Sequence, residues 1–464
     1  MPAIEQYLEA GQRRFEEELF EFLRIPSISA DPAYRGDIQR AAQWVHEQFL
    51  RLGLMSEIIA TPGNPLVYAQ SAAVPGAPVV LVYGHYDVQP AEPLELWTSP
   101  PFEPVCREGN IYARGATDDK GQMFTHLKSV EAWLKTAGKL PLQLKFLIEG
   151  EEEVGSANLE TFIRENAARL ACQAIVISDG AQFAPGQPAI NYGLRGIAYY
   201  ELRLTGPVRD LHSGTFGGSV TNPANALAKI LAGLIDERGR IQIPGFYDDV
   251  VPLSDRERRQ FAALPFDETH YMEQIGVDAL TGEAGYSTIE RRWVRPTFDV
   301  NGLWGGYQGE GGKTVLPSKA GAKFSFRLVP NQDPAKVARG LRQLIERLCP
   351  PGIQFELLDL HGAPAVMVRL DSPYVEAAAR AVEQAFGRKP VYTREGGSIP
   401  IVSTFRETLH ADTLLLGWGQ DDDNTHSPNE KFSLADFHRG IRASARLWGE
   451  LAAARVQGST GQEL

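Results

Sequence analysis

The hydrophobic residues at the start of the chain recur at helical spacing. One stripe of the predicted helix carries Tyr7, Leu8, Phe15, Leu19, Phe22 and Leu23. The pattern breaks at Ile25-Pro26-Ser27 and resumes over residues 38–52, because proline cannot continue a helix. The sequence therefore predicts two amphipathic helices at the N-terminal end.

Short, unbroken apolar runs alternate with helical patterns farther along the chain. The runs cover residues 79–83, 143–148, 174–178 and 413–416, and the helical patterns lie near 121–136 and 158–170. Strands of a parallel sheet are covered on both faces, so they consist of continuous apolar residues. The pattern predicts an α/β domain built on a mixed, mostly parallel sheet.

A different pattern begins near residue 193. Apolar and polar residues alternate in YYELRLTG (199–206) and FSFRLVP (324–330), with the period of half-exposed antiparallel strands. We therefore predict that residues 1–192 and 369–464 form the α/β domain and that residues 193–368 form an inserted α+β domain. The last residues, 454–464, are predicted to be a frayed tail.

Composition narrows the class of protein. The 464 residues contain 46 Lys and Arg against 58 Asp and Glu, a formal net charge of −12, and 43% of them are hydrophobic. The acidic balance argues against nucleic acid or an anionic membrane as a partner. No apolar run approaches the ~20 residues that cross a bilayer, and the N-terminus lacks an export signal. The separated cysteines, Cys106, Cys172 and Cys349, indicate no disulfide framework, so we expect a cytoplasmic protein.

Histidines and carboxylates follow five predicted strands. They are His85 and Asp87 in GHYDVQP, Asp118 and Asp119 in RGATDDKG after a short strand at 111–113, Glu149 and Glu151 to Glu153 in EGEEEVGS, Asp179, and His426 in GWGQDDDNTHSPNE. In open α/β sheets, ligands bind outside the carboxyl ends of the strands. We therefore expect all five groups at one edge of the sheet.

Imidazole and carboxylate are ligands that Zn²⁺, Mn²⁺ and Co²⁺ accept. The residues exceed the needs of one tetrahedral ion, so the sequence predicts a pair of ions that share one carboxylate. Asp87 is expected to accept the second ring N–H of His85. Each motif alone has a simpler interpretation, such as a surface His-x-Asp pair or a solvated face at 151–153 or 421–423. Their combination favours the metal centre.

The same segments resemble a known family. GHYDVQP, ATDDKG, EEEVGS, ISDG and THSPNE look like the metal-site motifs of the dizinc exopeptidases, which include carnosine dipeptidases, glutamate carboxypeptidases and succinyl-diaminopimelate desuccinylases. DLHSGTFGG, KFSFRLVP and REGGSIP resemble the carnosine dipeptidase branch specifically. The resemblance extends from about residue 25 to residue 438.

The resemblance implies a role for each site residue. His85 and Asp179 would bind one ion, Glu153 and His426 the other, and Asp118 would bridge them. Glu152 would be the general base, and Asp87 would support the centre. Asp119 stands where some relatives have Asn. In the inserted lid and dimerisation domain the implied residues are the oxyanion donor His212 and the substrate contacts Arg327, Thr314 and His361. Two further substrate contacts, Ser398 and Glu395, lie in the segment after it.

The expected activity is metal-dependent hydrolysis of dipeptides or short peptides with a free C-terminal carboxylate, through a water that bridges two divalent ions, Zn²⁺ first and Mn²⁺ or Co²⁺ otherwise. The family also implies a homodimer, with His212 reaching the partner subunit's site. Two alternatives stay open: an N-acyl-amino-acid deacylase with the same centre, and a metal-binding or scaffolding protein without activity.

Two other motifs lack the residue pattern of the sites that they resemble. GGYQGEGGKT (305–314) lacks the spacing of a phosphate-binding loop and is predicted to be a lid loop. Ser398 is not in a GxSxG elbow, which disfavours a serine hydrolase.

Overall fold

The chain forms two compact units in the computed structural model, which describes residues 1–397, 399 and 401–454. The first unit contains Met1–Tyr192, Val368–Thr393 and the chain from Thr404 onwards, and the second contains Gly193–Met367 and Arg394–Ser403. Residues 394–403 therefore group with the second unit, whereas the predicted boundary at 369 assigns them to the first domain. Ser398 and residues 455–464 of the predicted tail lie outside the described residues.

The helices follow in chain order. They are α1 (Pro2–Leu23), α2 (Arg35–Arg51), α3 (Lys120–Ala137), α4 (Leu159–Glu165), α5 (Ala167–Leu170), α6 (Ser213–Phe216), α7 (Pro223–Ala232), α8 (Asp255–Ala262), α9 (Glu268–Ile275), α10 (Thr288–Trp293), α11 (Pro334–Leu348), α12 (Pro373–Phe386), α13 (Ile401–Leu409) and α14 (Leu434–Ala453).

The strands are β1 (Met55–Ile59), β2 (Leu66–Gln70), β3 (Val79–His85), β4 (Val105–Arg107), β5 (Asn110–Tyr112), β6 (Gln143–Glu149), β7 (Ala174–Ser178), β8 (Ala189–Leu194), β9 (Gly196–Thr205), β10 (Leu211–His212), β11 (Thr297–Gly305), β12 (Val315–Leu316), β13 (Lys319–Leu328), β14 (Gln354–Ala363), β15 (Val366–Met367), β16 (Val391–Glu395), β17 (Asp412–Leu416) and β18 (Lys431–Ser433).

The first unit is built on a mixed sheet in the order β1-β2-β6-β3-β7-β17-β8. The four central strands, β6, β3, β7 and β17, are mutually parallel, and each is one of the four predicted apolar runs. Their residues are almost all buried, as strands covered on both faces require. The predicted α/β fold class is therefore confirmed.

The predicted apolar stripe of α1 is buried against other helices of this unit. Leu8, Phe15, Leu19 and Phe22 of α1 are at most 3% exposed, and the ring of Phe22 stacks on Trp44 of α2 with centroids 4.4 Å apart. The predicted helix at 158–170 is divided into α4 and α5 at Asn166, whose side-chain amide donates to the carbonyl of Phe162. Asparagine favours such local bonds over continuation of a helix.

The short strand before Asp118 does not belong to the main sheet. It is β5, which pairs with β4 and β18 in a separate antiparallel sheet. The turn between β4 and β5 is Glu108-Gly109, and both residues have positive φ, at 50° and 76°. Such a two-residue turn produces a hairpin. The expectation that five strands of one sheet deliver the candidate ligands is therefore wrong in this respect.

The second unit contains a four-stranded antiparallel sheet in the order β11-β13-β9-β14. Side chains of β13 alternate between the two faces of this sheet. The buried face packs on α7 and α11, around Leu202, Phe324, Leu341 and Ile345. Residues 306–314 form a loop that leads into β12 and not into a helix. Within the described ranges, no helix combines the length and apolar character needed to span a bilayer.

Candidate metal centre

His85 is the last residue of β3 and is completely buried. Its Nδ1 donates to the backbone carbonyl of Asp87, 3.1 Å away, and lies 3.4 Å from the carboxylate Oδ1 of the same residue. Asp87 thus braces the ring, with its carbonyl nearer than the predicted carboxylate. Because Nδ1 carries the proton, Nε2 presents a lone pair, as a metal-binding imidazole does.

Asp118 lies between the two histidines of the centre. Its Oδ1 is 3.1 Å from Nε2 of His85, and its Oδ2 is 3.0 Å from Nε2 of His426. Each oxygen of one carboxylate therefore faces a different imidazole. This is the arrangement expected of a carboxylate shared by two ions.

The candidate ligands form two groups that share Asp118. One group is His85, Asp118 and Asp179, and the other is Asp118, Glu153 and His426. In each group one ligand atom from every residue lies within 4.8 Å of the others. Nε2 of His85 is 3.8 Å from Oδ2 of Asp179, and Nε2 of His426 is 3.4 Å from Oε2 of Glu153. The structure thus brings together all five residues named as ligands.

The triple glutamate divides into three environments. The carboxylate of Glu151 accepts from the side chain of Asn158 and the backbone of Asn64, away from the centre. Glu152 begins a 3-10 turn, Glu152–Val154. The backbone N–H of Glu153 donates to Oδ2 of Asp87, and its Oε2 accepts from Gln89 at 2.8 Å. Only Glu153 joins a candidate ligand group, which agrees with the predicted register.

Glu149, the first acidic residue of this motif, lies beneath the centre. Its Oε1 accepts from the hydroxyls of Tyr83 at 2.6 Å and Ser156 at 2.8 Å. Burial, with a smaller contribution from nearby Asp87, raises its pKa to about 8. Oε1 of Glu149 is therefore engaged in hydrogen bonds within the protein.

Two buried acceptors test whether cations fit here. Nε2 of His85 and Oδ1 of Asp87 are buried and have no hydrogen-bond partner. Nε2 lies 3.1 Å from Oδ1 of Asp118, but the geometry of this approach is not that of a hydrogen bond. Buried acceptors without partners are costly. A divalent cation would satisfy Nε2 of His85, whereas Oδ1 of Asp87, which belongs to neither ligand group, lies 3.4 Å from Nδ1 of His85. The imidazole and carboxylate donors suit such an ion. The residues fit a metal centre.

The pKa values of the cluster show an excess of negative charge. Burial is the largest cause that raises the pKa of Glu152, Glu153 and Asp179, and the carboxylate of Asp118 adds to it in each case. The resulting pKa of Asp179 is about 6. Burial alone would lower the pKa of His85, but the carboxylates of Asp118 and Asp87 outweigh it and raise the value. Divalent cations would supply the missing positive charge.

Asp119 faces the protein and not the ligand groups. Its Oδ2 accepts from the backbone N–H of His85 at 3.2 Å, and burial raises its pKa. The peptide bond that joins it to Asp118 is cis. The side chain therefore supports the end of β3.

The loop that carries His426 is held by buried acids. His426 has a positive φ of 61°, and its side chain is 58% exposed. Asp423, predicted to lie on a solvated face, is completely buried instead: its Oδ2 accepts from the backbone of Gln420 at 2.8 Å, and Lys431 donates to its Oδ1. The prediction fails because paired hydrogen bonds compensate this carboxylate for the loss of water.

His212 and Thr314 are neighbours in the second unit. β10 pairs with β12, and the N–H of Ser213 donates to the carbonyl of Thr314. His212 is exposed, and its Nδ1 accepts from the N–H groups of Gly214 and Thr215. Its neutral ring therefore carries the proton on Nε2, which is available as a donor.

Arg327 and His361 also lie in the second unit, on β13 and β14. Burial lowers the pKa of His361, and the charge of Arg327 lowers it further. Arg195 lies near Arg327: burial lowers the pKa of Arg195, and the positive charge of Arg327 adds to this effect. The Nε of Arg195 donates to the carbonyl of Gly396. The N–H of Arg195 lies within 3.3 Å of the carbonyl of Glu395. Ser398, the remaining candidate of this loop, lies outside the described residues.

Sequence reasoning missed Gln89, Arg195 and Glu430. Gln89 bonds to the candidate ligand Glu153 and Glu430 to the candidate ligand Asp118, while Arg195 bonds to Gly396, next to Glu395. Gln89 and Glu430 stand inside the quoted motifs GHYDVQP and THSPNE, each four residues from a candidate histidine. Arg195 directly follows β8. The position of these residues inside or beside recognised motifs and strands was the signal that could have identified them.

Comparison with known proteins gives one consistent family. The model of peptidase family M20/M25/M40 matches residues 81–450. The chain is 33% identical to Cys-Gly metallodipeptidase dug1 of Schizosaccharomyces pombe over 463 residues, covering 96% of this chain and 97% of that protein. It is 32% identical to Beta-Ala-His dipeptidase of Homo sapiens over 466 residues, covering 96% and 92%.

A solved structure agrees. The dipeptidase Dug1p from Saccharomyces cerevisiae matches with a TM-score of 0.87 and 30% identity, covering 97% of this chain and 98% of that chain. These relatives confirm the resemblance to the carnosine dipeptidase branch, and they favour peptide hydrolysis over the N-acyl-amino-acid deacylase alternative. The chain therefore belongs to peptidase family M20/M25/M40 and is a metal-dependent peptide hydrolase.

Proposed function

We propose that the protein is a dipeptidase that works with two divalent ions. His85 and Asp179 would hold one ion, Glu153 and His426 the other, and Asp118 would hold both. The observation that carries the proposal is that the two oxygens of Asp118 face different imidazoles, at 3.1 and 3.0 Å. We expect Zn²⁺ first and Mn²⁺ or Co²⁺ as alternatives, because imidazole with carboxylate suits all three.

Glu152 is the proposed general base and acid. When bound, the two ions would supply positive charge that acidifies a water molecule and polarises the scissile carbonyl. Glu152 would take a proton from the attacking water and deliver it to the leaving amine. Burial raises the pKa of its carboxyl, and Asp179 and Asp118 add to the effect, so the carboxylate has a higher proton affinity than an exposed glutamate.

His212 is the proposed donor to the developing oxyanion. Its Nδ1 accepts two backbone N–H groups, so Nε2–H is free to donate. Hydrogen bonds to charge that develops in the transition state accelerate acyl transfer. The fixed tautomer supports this role, because the ring needs no rearrangement before it donates.

Arg327, with Thr314, His361 and Ser398, is proposed to bind the free C-terminal carboxylate of the substrate. A guanidinium matches a carboxylate in a bidentate manner, and the surroundings of Arg327 are partly buried, which strengthens such a pair. Glu395 is proposed to meet a substrate ammonium. The relatives named above act on Cys-Gly and on β-Ala-His, so we propose small dipeptides as substrates.

A homodimer through the second unit is part of the proposal. The edge strand β11 and the loop after it expose Val300, Leu303, Trp304 and Tyr307, between 38% and 61% of each residue's surface. Exposed apolar groups on an edge strand favour association with another chain. His212 would then act across the dimer. We also propose a cytoplasmic location, which the three free cysteines support.

One experiment tests the proposal directly. The protein is loaded separately with Zn²⁺ and Mn²⁺, its metal content is measured, and dipeptides are compared with their N-acetylated forms. We expect two ions per chain and hydrolysis of the free dipeptides. Metal content near one ion per chain would exclude the two-ion centre, and preference for the acetylated substrates would favour a deacylase.

A further inference from the structure

Asp118 and His426 are carried by loops and not by the main sheet. Asp118 lies between β5 and α3, and His426 lies between β17 and β18. Loops lack the regular ladder of a sheet that fixes residues such as His85. Contacts other than sheet hydrogen bonds must therefore fix the 3.0 Å distance between Asp118 and His426.

Glu430 connects these two loops. Its side chain is buried, and its two oxygens receive four donors. The N–H groups of Thr117 and Asp118 donate to Oε1 at 3.0 and 3.1 Å. The N–H of Gly115 and Nη1 of Arg114 donate to Oε2 at 3.0 and 2.8 Å. The carboxylate of Glu430 thus accepts a hydrogen bond from the backbone of Asp118 itself. Glu430 also lies only four residues after His426 in the chain.

Three of the donors are backbone N–H groups of one loop, of the kind that binds anions. Arg114 is 1% exposed and supplies the balancing charge, so the bonds are charge-assisted. Every donor comes from one loop, whereas the acceptor comes from the other. A carboxylate in this position fixes both loops at once.

Thr117 provides a second connection between the same loops. Its Oγ1 lies 2.9 Å from Oδ2 of Asp423 and 2.6 Å from the carbonyl of Lys431. Both partners belong to the chain that flanks His426. The residue directly before Asp118 is therefore fixed through its backbone by Glu430 and through its hydroxyl by this pair.

We propose that Glu430 is a positioning residue of the metal centre, and that its carboxylate sets Asp118 at the correct distance from His426. The inference rests on the proposed function, in which Asp118 and His426 are ligands. Residues that orient metal ligands typically change metal affinity or activity roughly 10- to 100-fold when they are replaced.

Glu430→Gln is the informative variant. It keeps the size of the side chain, but it leaves one acceptor oxygen for four donors and turns an NH₂ group towards them. We expect faster hydrogen exchange of the amides at 113–119 in the metal-free protein, Co²⁺ affinity weaker by roughly 10- to 100-fold, and a changed Co²⁺ visible spectrum.

Glu131→Gln is the matched control. Glu131 is a buried carboxylate of the same unit that pairs with Arg14 and Lys128, away from both loops. We expect a lower Tm for this variant, with unchanged exchange at 113–119 and an unchanged Co²⁺ spectrum. A change of the same size in both variants would mean that general stability, and not positioning, is responsible, and would overturn the proposal.

Wild-type exchange and wild-type Co²⁺ affinity in Glu430→Gln would also overturn it. Should that variant not fold, Glu430→Asp retains the charge but withdraws the carboxylate from its four donors, and the same readouts apply with the same interpretation. The exchange measurement on metal-free protein separates this inference from the proposed function: fewer than two ions in the wild-type protein contradicts the two-ion centre, whereas exchange at 113–119 tests Glu430 by itself.

Discussion

The backbone N–H of Glu153 donates to Oδ2 of Asp87 over 3.1 Å, so the residue that braces the ring of His85 also braces a candidate ligand of the other group. Asp87 therefore contacts both halves of the proposed centre without belonging to either ligand group. A change at this residue is expected to affect both ions together.

Asp87→Ala keeps the backbone carbonyl bonded to His85 but removes the carboxylate, whose Oδ1 lies 3.4 Å from Nδ1 of His85 and whose Oδ2 accepts from Glu153. The affinity for both ions is therefore expected to weaken by roughly 10- to 100-fold, the usual effect of losing a group that supports ligands. Asp87→Asn retains an oxygen that can accept from Glu153, so this variant should lose less metal affinity. Metal content after titration with a chelator measures this. Asp412→Asn, which alters a carboxylate bonded to Ser372 at the start of β17, is the control. Loss of only one ion in Asp87→Ala would contradict the joint role.

Glu152→Gln is expected to lower kcat by about 10²- to 10⁴-fold, because Gln cannot accept the proton from water. Metal content should remain at two ions per chain, since Glu152 belongs to neither ligand group. Steady-state kinetics together with metal analysis provide the measurement.

Glu151→Gln is the matched control for that experiment. Glu151 is adjacent in sequence, but its carboxylate is bonded to Asn64 and Asn158. We expect near wild-type kcat and a modest decrease in Tm. If Glu151→Gln lost activity as severely as Glu152→Gln, the assignment within the triple glutamate would be wrong.

Arg327→Ala is expected to raise KM for a dipeptide by about 10- to 100-fold, because a hydrogen bond to a charged group contributes about 1.5–3 kcal/mol. The C-terminal amide of the same dipeptide lacks the carboxylate, so its KM should change little in the variant. Kinetics with both substrates test this difference. Arg203→Ala, which removes an arginine that pairs with Glu201 on β9, should leave both values unchanged. Equal losses on the acid and the amide would exclude a carboxylate contact.

The sequence predicts most reliably the residues that end buried parallel strands. His85 and Asp179 follow the neighbouring strands β3 and β7, and the apolar character of those strands was sufficient to bring both side chains to one edge. The alternating pattern likewise predicted two antiparallel strands, which are β9 and β13 and pair with each other. In both cases a local pattern determines the position, because the strand itself fixes the direction of its end.

The sequence could not predict contacts that depend on distant loops. Asp118 reaches the centre from the small sheet of β4, β5 and β18, whose hairpin turn was not recognised. Glu430 and Asp423 are buried because donors more than 300 residues earlier in the chain meet them after folding. A carboxylate without visible partners is expected on the surface. Only tertiary contacts show that these two are inside.

The last prediction concerns pH and a histidine away from the centre. His126 of α3 is fully buried, and Oγ of Ser444 lies 3.0 Å from its Nδ1. Burial lowers its pKa to about 3, below the value near 6.5 of an exposed histidine. The folded protein therefore binds this proton less readily than the unfolded chain. Its contribution to stability is complete above pH ~6.5 and is lost as the pH falls towards about 3.

His126→Gln isolates this effect, because Gln can still bond to Ser444 but does not titrate. Between pH 6.5 and 4, the free energy of unfolding of the wild-type protein should fall more steeply than that of the variant, by up to about 1.4 kcal/mol per pH unit. Urea unfolding of both proteins at a series of pH values measures the difference. Loss of metal at acidic pH affects both proteins equally, so it cancels in the comparison. Parallel curves would show that His126 takes up no additional proton on unfolding, and that its burial does not cause the acid sensitivity.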